Sequence, residues 1–331
     1  MAELLQVRNL SIEYMSPRGV VKAVDDVSFS IGKGEIFGLA GESGCGKSTT
    51  AFGICRLLRH PARIAGGSVQ LDGRELTTLS NEEFDRLRWS QISIVLQSAM
   101  NNLNPVLKIR DQLVDAILAH DPHAGKEARQ RAEQLMRLVD LPVDRLDSYP
   151  HELSGGMRQR VVIAMAMALR PSLVIMDEPT TALDVVVQNG IIRKIMELQK
   201  KFGFSILFIT HDLPLMLEMC DRIGIMYAGK LVEVTARQQI LQKPRHPYTQ
   251  GLLHSFPSLS GPKQRLSGIP GHTPDMIRPP AGCRFCPRCT QALPPCGTQQ
   301  PVLMQDDKGL IACHLYSEEG LSREQASAAC E

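Results

Sequence analysis

"GESGCGKST", residues 41–49, follows the apolar run EIFGLAG (35–41) and opens into the helix-forming stretch TTAFGICRLL. A strand that feeds a glycine-rich turn and becomes a helix is the context a phosphate-binding loop requires. Gly41, Gly44 and Gly46 let the backbone curl so that its N–H groups face phosphate oxygens, and the helix N-terminus adds partial positive charge. Lys47 is placed to reach terminal phosphates and the Ser48 hydroxyl to ligate Mg²⁺. Ser43, Cys45 and Thr49 belong to the same cradle. A glycine turn without a ligand is the alternative, and eight matching positions in this context weigh against it.

The partner to such a loop stands at LVIMDEP, residues 173–179. Asp177 ends an apolar strand, where it can hold the magnesium shell, and Glu178 beside it can polarise an attacking water. Two adjacent acids can also cap a helix. Beside a phosphate loop they read as a site for ATP or GTP hydrolysis.

The rest of the chain fits an enzyme of ordinary solubility. Its 331 residues exceed one small core and suit one large domain with an appendage, or two domains. A hydrophobic share of 43% with 22% charged residues is typical of globular proteins. The net charge of +2 gives no electrostatic case for nucleic acid. MAELLQVRNL lacks the pattern of a signal peptide. The longest apolar run, VVIAMAMAL (161–169), falls well short of the ~20 residues a membrane span needs. A cytosolic chain, or one held at a membrane by something else, is expected.

Apolar strands alternate with helical patterns up to about residue 235. EIFGLAG, ISIVLQ (92–97), SLVIMDE (172–178), SILFITH (205–211) and RIGIMYAG (222–229) are near-continuously apolar, as strands of a parallel sheet covered on both faces are. LLQVRNLSIEY and VKAVDDVSFSI alternate and suit an antiparallel edge element. Residues 98–165 carry only helical periodicity, as in EARQRAEQLMRLVDL, and read as a helical insertion. Twelve of the 21 prolines and six of the nine cysteines lie after Arg237, which sets residues 236–331 apart from 1–235 as a small Pro/Cys-rich domain on an α/β core.

LSGGMRQR, residues 153–160, supplies a second phosphate-ready helix start, with Ser154, Gly155 and Gly156 preceding a long helix. One nucleotide does not need two such loops from the same chain, whereas a site shared between two chains does. With this motif the sequence resembles the ATP-binding subunits of ABC transporters over its whole length. The elements stand in order: residues 41–49, Gln97 ending a strand, LSGGM at 153–157, DE at 177–178, TALD at 181–184, and His211 in THD.

The resemblance implies an ABC-type P-loop NTPase fold, ATP and Mg²⁺ as cofactors, and two composite sites made with a partner ATPase. It also assigns roles. Tyr14 would stack on adenine, unless it is a core tyrosine at a strand end. Gln97 would touch the metal or the attacking water, and Ser154 and Gly156 would contact the γ-phosphate held by the opposite chain. Glu178 would be the general base, His211 would hold the γ-phosphate and water, and Asp184 would sit at the dimer seam. RHPYTQGLLHSFPS (245–258) with GIPGHTP, NNLNP (101–105) and MYAGKLVE (226–233) resemble oligopeptide and dipeptide importers in particular. That implies a second ATPase chain, two membrane permease subunits, an external substrate-binding protein and a place on the cytoplasmic face of the membrane, with no nucleic-acid partner. Relatives carrying nickel, glutathione or oligosaccharides share the pattern, and ABC ATPases acting on nucleic acid or ribosomes are the more distant alternative.

CRFCPRC (283–289), Cys296 and Cys313 place five cysteines within 31 residues. A reducing cytosol disfavours a disulfide framework. Zinc prefers two paired knuckles, and here the later cysteines are single. The C-x₂-C-x₂-C start is only superficially like a ferredoxin run. The resemblance implies Cys283, Cys289, Cys296 and Cys313 as ligands of a [4Fe–4S] cluster, with Cys286 as a spare or substitute thiol and zinc as the alternative.

Overall fold

The computed structural model describes residues 2–97, 102–181, 183–255 and 268–317. Asn101 of NNLNP, Ala182 of TALD and residues 256–258 of the RHPYT stretch lie outside them. The chain opens with two long strands, β1 (Glu3–Ser16) and β2 (Gly19–Gly32), then β3 (Ile36–Ala40) and helix α1 (Lys47–Ile54). β4 (Ala62–Leu71), β5 (Arg74–Glu75), α2 (Asn81–Leu87) and β6 (Ile92–Val95) follow. Next come three helices, α3 (Ile109–Leu118), α4 (Gly125–Leu138) and α5 (Gly155–Ala166). Strands and helices then alternate through β7 (Leu173–Asp177), α6 (Val185–Phe202), β8 (Ser205–Ile209), α7 (Leu213–Met219) and β9 (Arg222–Tyr227). The remaining elements are β10 (Lys230–Ala236), α8 (Arg237–Gln242), α9 (Pro247–His254), β11 (Met304–Asp306) and β12 (Gly309–Ile311).

These elements gather into two compact units: Met1–Leu5, Ser30–Ile36 and Gln70–Ile209 in the first, and Gln6–Phe29, Phe37–Val69 and Thr210–Glu331 in the second. In the first unit β6, β7 and β8 pair in parallel, from Ile92 beside Leu173 to Asp177 beside Ile209. Every residue of β7 and β8 is buried, so apolar side chains are favoured on both faces, which explains their apolar runs Leu173–Met176 and Ile206–Ile209. α3, α4 and α5 pack on one another, and α4 turns Ala128, Ala132, Leu135 and Met136 inward at helical spacing. α6 starts where the Asp184 carboxylate accepts the Val187 N–H at 2.9 Å and stops at Gly203, which takes the left-handed conformation.

In the second unit β3 runs parallel to β9, while β9's other neighbour β10 is antiparallel, as are β10 with β12 and β12 with β11. RIGIMYAG is thus a parallel strand on one side only. The hairpin β11–β12 extends this sheet with residues of the Pro/Cys-rich region, Glu233 standing beside Ile311. Strands also end earlier than their apolar runs: β6 stops at Val95, leaving Gln97 in the following turn, and β8 stops at Ile209, leaving His211 beyond it.

Tyr227, Tyr248 and Phe285 form an aromatic core here, with ring centroids 4.6 to 5.3 Å apart. Phe285 also packs on the His246 ring. The buried Glu233 carboxylate accepts the backbone N–H of Arg245 at 3.1 Å and of His246 at 3.0 Å, and His246 Nδ1 in turn accepts the Tyr248 N–H at 3.0 Å. Burial pushes His246 down from 6.5 to about 3, so its ring stays neutral in the fold. The unfolded chain therefore binds one more proton than the folded chain between those values. Stability from this group is complete above the unfolded value and is lost as pH falls. Thermal melts at about pH 7.5 and about pH 5.5 should show a drop that shrinks in His246→Gln, where the titrating group is gone.

Candidate functional site

The phosphate loop lies in the second unit between β3 and α1. Its curl is enforced by crowding: a Cβ at Gly41 would meet the Met226 carbonyl oxygen at 2.1 Å, and one at Gly46, where φ is 105°, would meet that of Ala23 at 2.3 Å. Lys47 is buried and folds back on the loop, its Nζ donating to the carbonyls of Gly41 at 2.8 Å and Glu42 at 2.9 Å. The ammonium thus rests on acceptors that it can exchange for phosphate oxygens. Ser43 and Gly44 are exposed at the rim, while Ser48 and Thr49 are half-buried on the first turn of α1. Cys45 packs inward, and burial raises its thiol pKa against the pull of nearby Lys47. Half-buried Tyr14 brings its hydroxyl to 3.5 Å from Thr49 Oγ1, so it stands beside this loop. His211 is exposed, one residue before Asp212, whose carboxylate caps α7 by accepting the Leu215 N–H at 3.1 Å.

In the first unit Asp177 ends β7, 2% exposed. Glu178, the next residue, has φ 49°, a left-handed conformation that costs a non-glycine residue energy and is retained mainly where surroundings enforce it. Its N–H donates to the Ile209 carbonyl at 2.8 Å. Gln97 Nε2 at 2.7 Å and Thr181 Oγ1 at 2.9 Å both donate to Glu178 Oε2, orienting the carboxylate. The sequence pointed Gln97 at metal or water; here it meets the neighbouring acid. Thr181 was not singled out, although it opens TALD. Ser154 is exposed at the start of α5, where its Oγ accepts the Met157 N–H at 3.3 Å. Gly155 and Gly156 form the first turn, and a Cβ at Gly156 would press on Val187 at 2.6 Å. Asp184, expected at a seam between chains, is exposed and serves as the α6 cap.

The cysteines lie in short turns of the second unit. Cys283 N–H donates to the Cys296 carbonyl at 2.8 Å, Cys286 to Cys283 at 3.0 Å and Cys289 to Cys286 at 3.2 Å. Burial, helped by the neighbouring cysteines, pushes the Cys283 thiol up to about 11 and the Cys313 thiol up to about 12. The Leu293 N–H donates to Cys296 Sγ at 3.4 Å, and backbone N–H groups counter the effect of burial on Cys283 (Phe285 and Cys286), Cys289 (Gln291) and Cys313 (Leu315). Burial raises the Cys286 thiol, and the nearby Cys296 raises it too. Against the expected metal centre, no group of three or more His, Cys, Asp or Glu among the described residues is arranged to hold a metal ion.

The ABC transporter family profile matches residues 24–181, and that of the oligopeptide/dipeptide transporter C-terminal region matches 232–296. The chain is 42% identical to the oligopeptide transport ATP-binding protein AppD of Bacillus subtilis, over 97% of this chain and 99% of that one. It is also 42% identical to OppD of Escherichia coli over 96% of this chain and 94% of that protein. The chain belongs to this family of ABC-transporter ATP-binding proteins. Among solved structures, the dimeric ATP-binding cassette MJ0796, in a post-hydrolysis state with ADP and Pi, superposes with a TM-score of 0.63 at 27% identity, covering 70% of this chain and 98% of that one. As an ABC ATPase, the chain hydrolyses ATP, with Mg²⁺ as the expected metal.

Crowding at Gly46 yields a direct test. Gly46→Ala adds a methyl group against a backbone oxygen at an unfavourable φ, and should weaken binding of a fluorescent ATP analogue by about tenfold or more and lower the melting temperature as well.

Proposed function

We propose that this chain powers import of dipeptides or oligopeptides across the cytoplasmic membrane. The observation that carries the reading is likeness over nearly the full chain to proteins named for peptide transport, including the C-terminal region. It would act at the cytoplasmic face as a peripheral subunit, with a second ATPase chain, two permease subunits and a substrate-binding protein. No helix among the described residues is long and apolar enough to cross a membrane, which suits that arrangement. Residues 1–235 would be the nucleotide-binding domain, with the helical part near 98–165, and 236–331 its appended extension.

In this reading the loop of Gly41, Ser43, Gly44, Cys45, Gly46 and Thr49 wraps the phosphates, Lys47 binds the terminal ones, and Ser48, Asp177 and Gln97 serve the magnesium. Tyr14 stacks on adenine. Glu178 takes the proton of the attacking water, and His211 steadies the γ-phosphate. Ser154, Gly155 and Gly156 complete the partner's site, and Asp184 borders it. The Gln97 and Thr181 bonds support the role of Glu178 because they fix the direction in which its carboxylate can accept a proton. Glu178→Gln should retain ATP binding and lose about two orders of magnitude or more in hydrolysis. Near-normal phosphate release from that variant would sink the assignment.

We also propose that Cys283, Cys289, Cys296 and Cys313 bind a structural [4Fe–4S] cluster. Backbone N–H groups near Cys283, Cys289, Cys296 and Cys313 work against the burial that raises these thiols, and bonds of that kind tune such clusters. Anaerobically purified protein should be brown and carry about four irons per chain. Colour should vanish in Cys289→Ser and persist in Cys286→Ser; a colourless protein with one zinc would overturn the assignment.

A further inference from the structure

Arg288 lies between Cys286 and Cys289, yet it reaches the phosphate loop, 246 residues away in sequence. Its Nη1 donates to Glu42 Oε2 at 2.7 Å and its Nη2 to Glu42 Oε1 at 2.9 Å, a fork-on-fork pair. The other contacts are satisfied too: Nε donates to the Pro270 carbonyl at 2.8 Å, Nη2 to that of Ile269 at 3.1 Å, and Nη1 to the Tyr227 hydroxyl at 3.3 Å. A guanidinium has five N–H donors, and five acceptors surround this one. The Arg288 side chain is 5% exposed. Tyr248 adds a second hold, its hydroxyl accepting the backbone N–H of Glu42 at 2.9 Å. Glu42 is thus fixed by side chain and main chain together, and its carbonyl is one of the two that receive Lys47 Nζ.

A carboxylate inside a loop that must receive several phosphate charges repels its ligand unless a cation neutralises it. A surface lysine could supply charge but not direction; a buried, fully bonded arginine supplies both. We propose that Arg288, assisted by Tyr248, is a positioning residue for the phosphate loop: it neutralises and orients Glu42 so that the loop is preformed for ATP. It thereby couples occupancy of the loop to order in the cysteine-bearing segment. The inference rests on the reading of residues 41–49 as the ATP site. Such coupling is reciprocal, so bound nucleotide must steady the segment as much as the segment helps the nucleotide.

The test uses the full chain and a fluorescent ATP analogue with Mg²⁺. Arg288→Ala should raise Kd about tenfold. The double variant Arg288→Ala with Glu42→Gln should recover part of that loss, because the stranded carboxylate is gone; a merely structural arginine would show no such recovery. Asp306→Asn, which removes the partner of Arg245 elsewhere in the extension, should bind as wild type does. Amide exchange across 283–296 should slow on nucleotide addition in wild type and not in Arg288→Ala. If Arg288→Ala does not fold, Arg288→Gln, which keeps bulk without charge, is judged by the same criteria. Wild-type chain that fails to bind the analogue would overturn the ATP-site reading itself. Wild type that binds while Arg288→Ala binds equally well, or a double variant no better than the single one, would overturn the clasp alone.

Discussion

Two glycines packed against backbone oxygens set the terms for the loop between β3 and α1. At Gly41 and Gly46 there is no room for even a methyl group beside the carbonyls of Met226 and Ala23. Backbone polar groups are thereby brought close together, where each must find a partner. Lys47 answers the Gly41 and Glu42 carbonyls from within the loop, and the Gly229 N–H answers that of Cys45 from the turn after β9. The parallel pairing of β3 with β9 is what delivers that turn to the loop. The loop carbonyls are thus bonded from within the loop and from the turn beside it.

The acidic half depends on a different device. β7 is wholly buried and apolar until its last residue, so Asp177 and Glu178 emerge together where the strand ends. Gln97 and Thr181 both donate to one oxygen of Glu178, whose backbone takes the left-handed conformation. Strain and hydrogen bonds therefore cooperate to fix one carboxylate direction.

Much of this was legible in the amino-acid order because it is local. The phosphate loop spans nine residues, the apolar runs announce β3, β7 and β8, and the periodicity of 127–141 matches the buried face of α4. What stayed hidden joins residues far apart. Nothing near Gln97 says that it meets Glu178, 81 positions on, and nothing near Arg288 names Glu42. The hairpin β11–β12 was missed because β11 is exposed along its whole length, so no apolar alternation marks it. The cysteine segment was visible as composition, but bonds such as Leu293 N–H to Cys296 Sγ emerge only in three dimensions.

The extension is too rich in proline and short turns to be held by a large apolar core, and its arginines show what takes that place. Arg245, Arg284 and Arg288 are each nearly buried, and each meets a carboxylate: Asp306, Asp25 and Glu42. Desolvating three guanidinium groups is expensive, and such pairs add little net stability compared with well-packed apolar residues. Their advantage is directional. An apolar patch tolerates sliding by an ångström, whereas a forked pair fits its carboxylate in one orientation. Two of the three acids, Asp25 and Glu42, come from the N-terminal part of the chain, one from β2 and one from the loop itself. The aromatic cluster of Tyr227, Tyr248 and Phe285 supplies apolar burial beside them, and the arginines select the register in which that burial occurs. The extension is thus docked by position-specific charge on a small apolar base, a construction suited to reporting on the loop it touches rather than to adding stability.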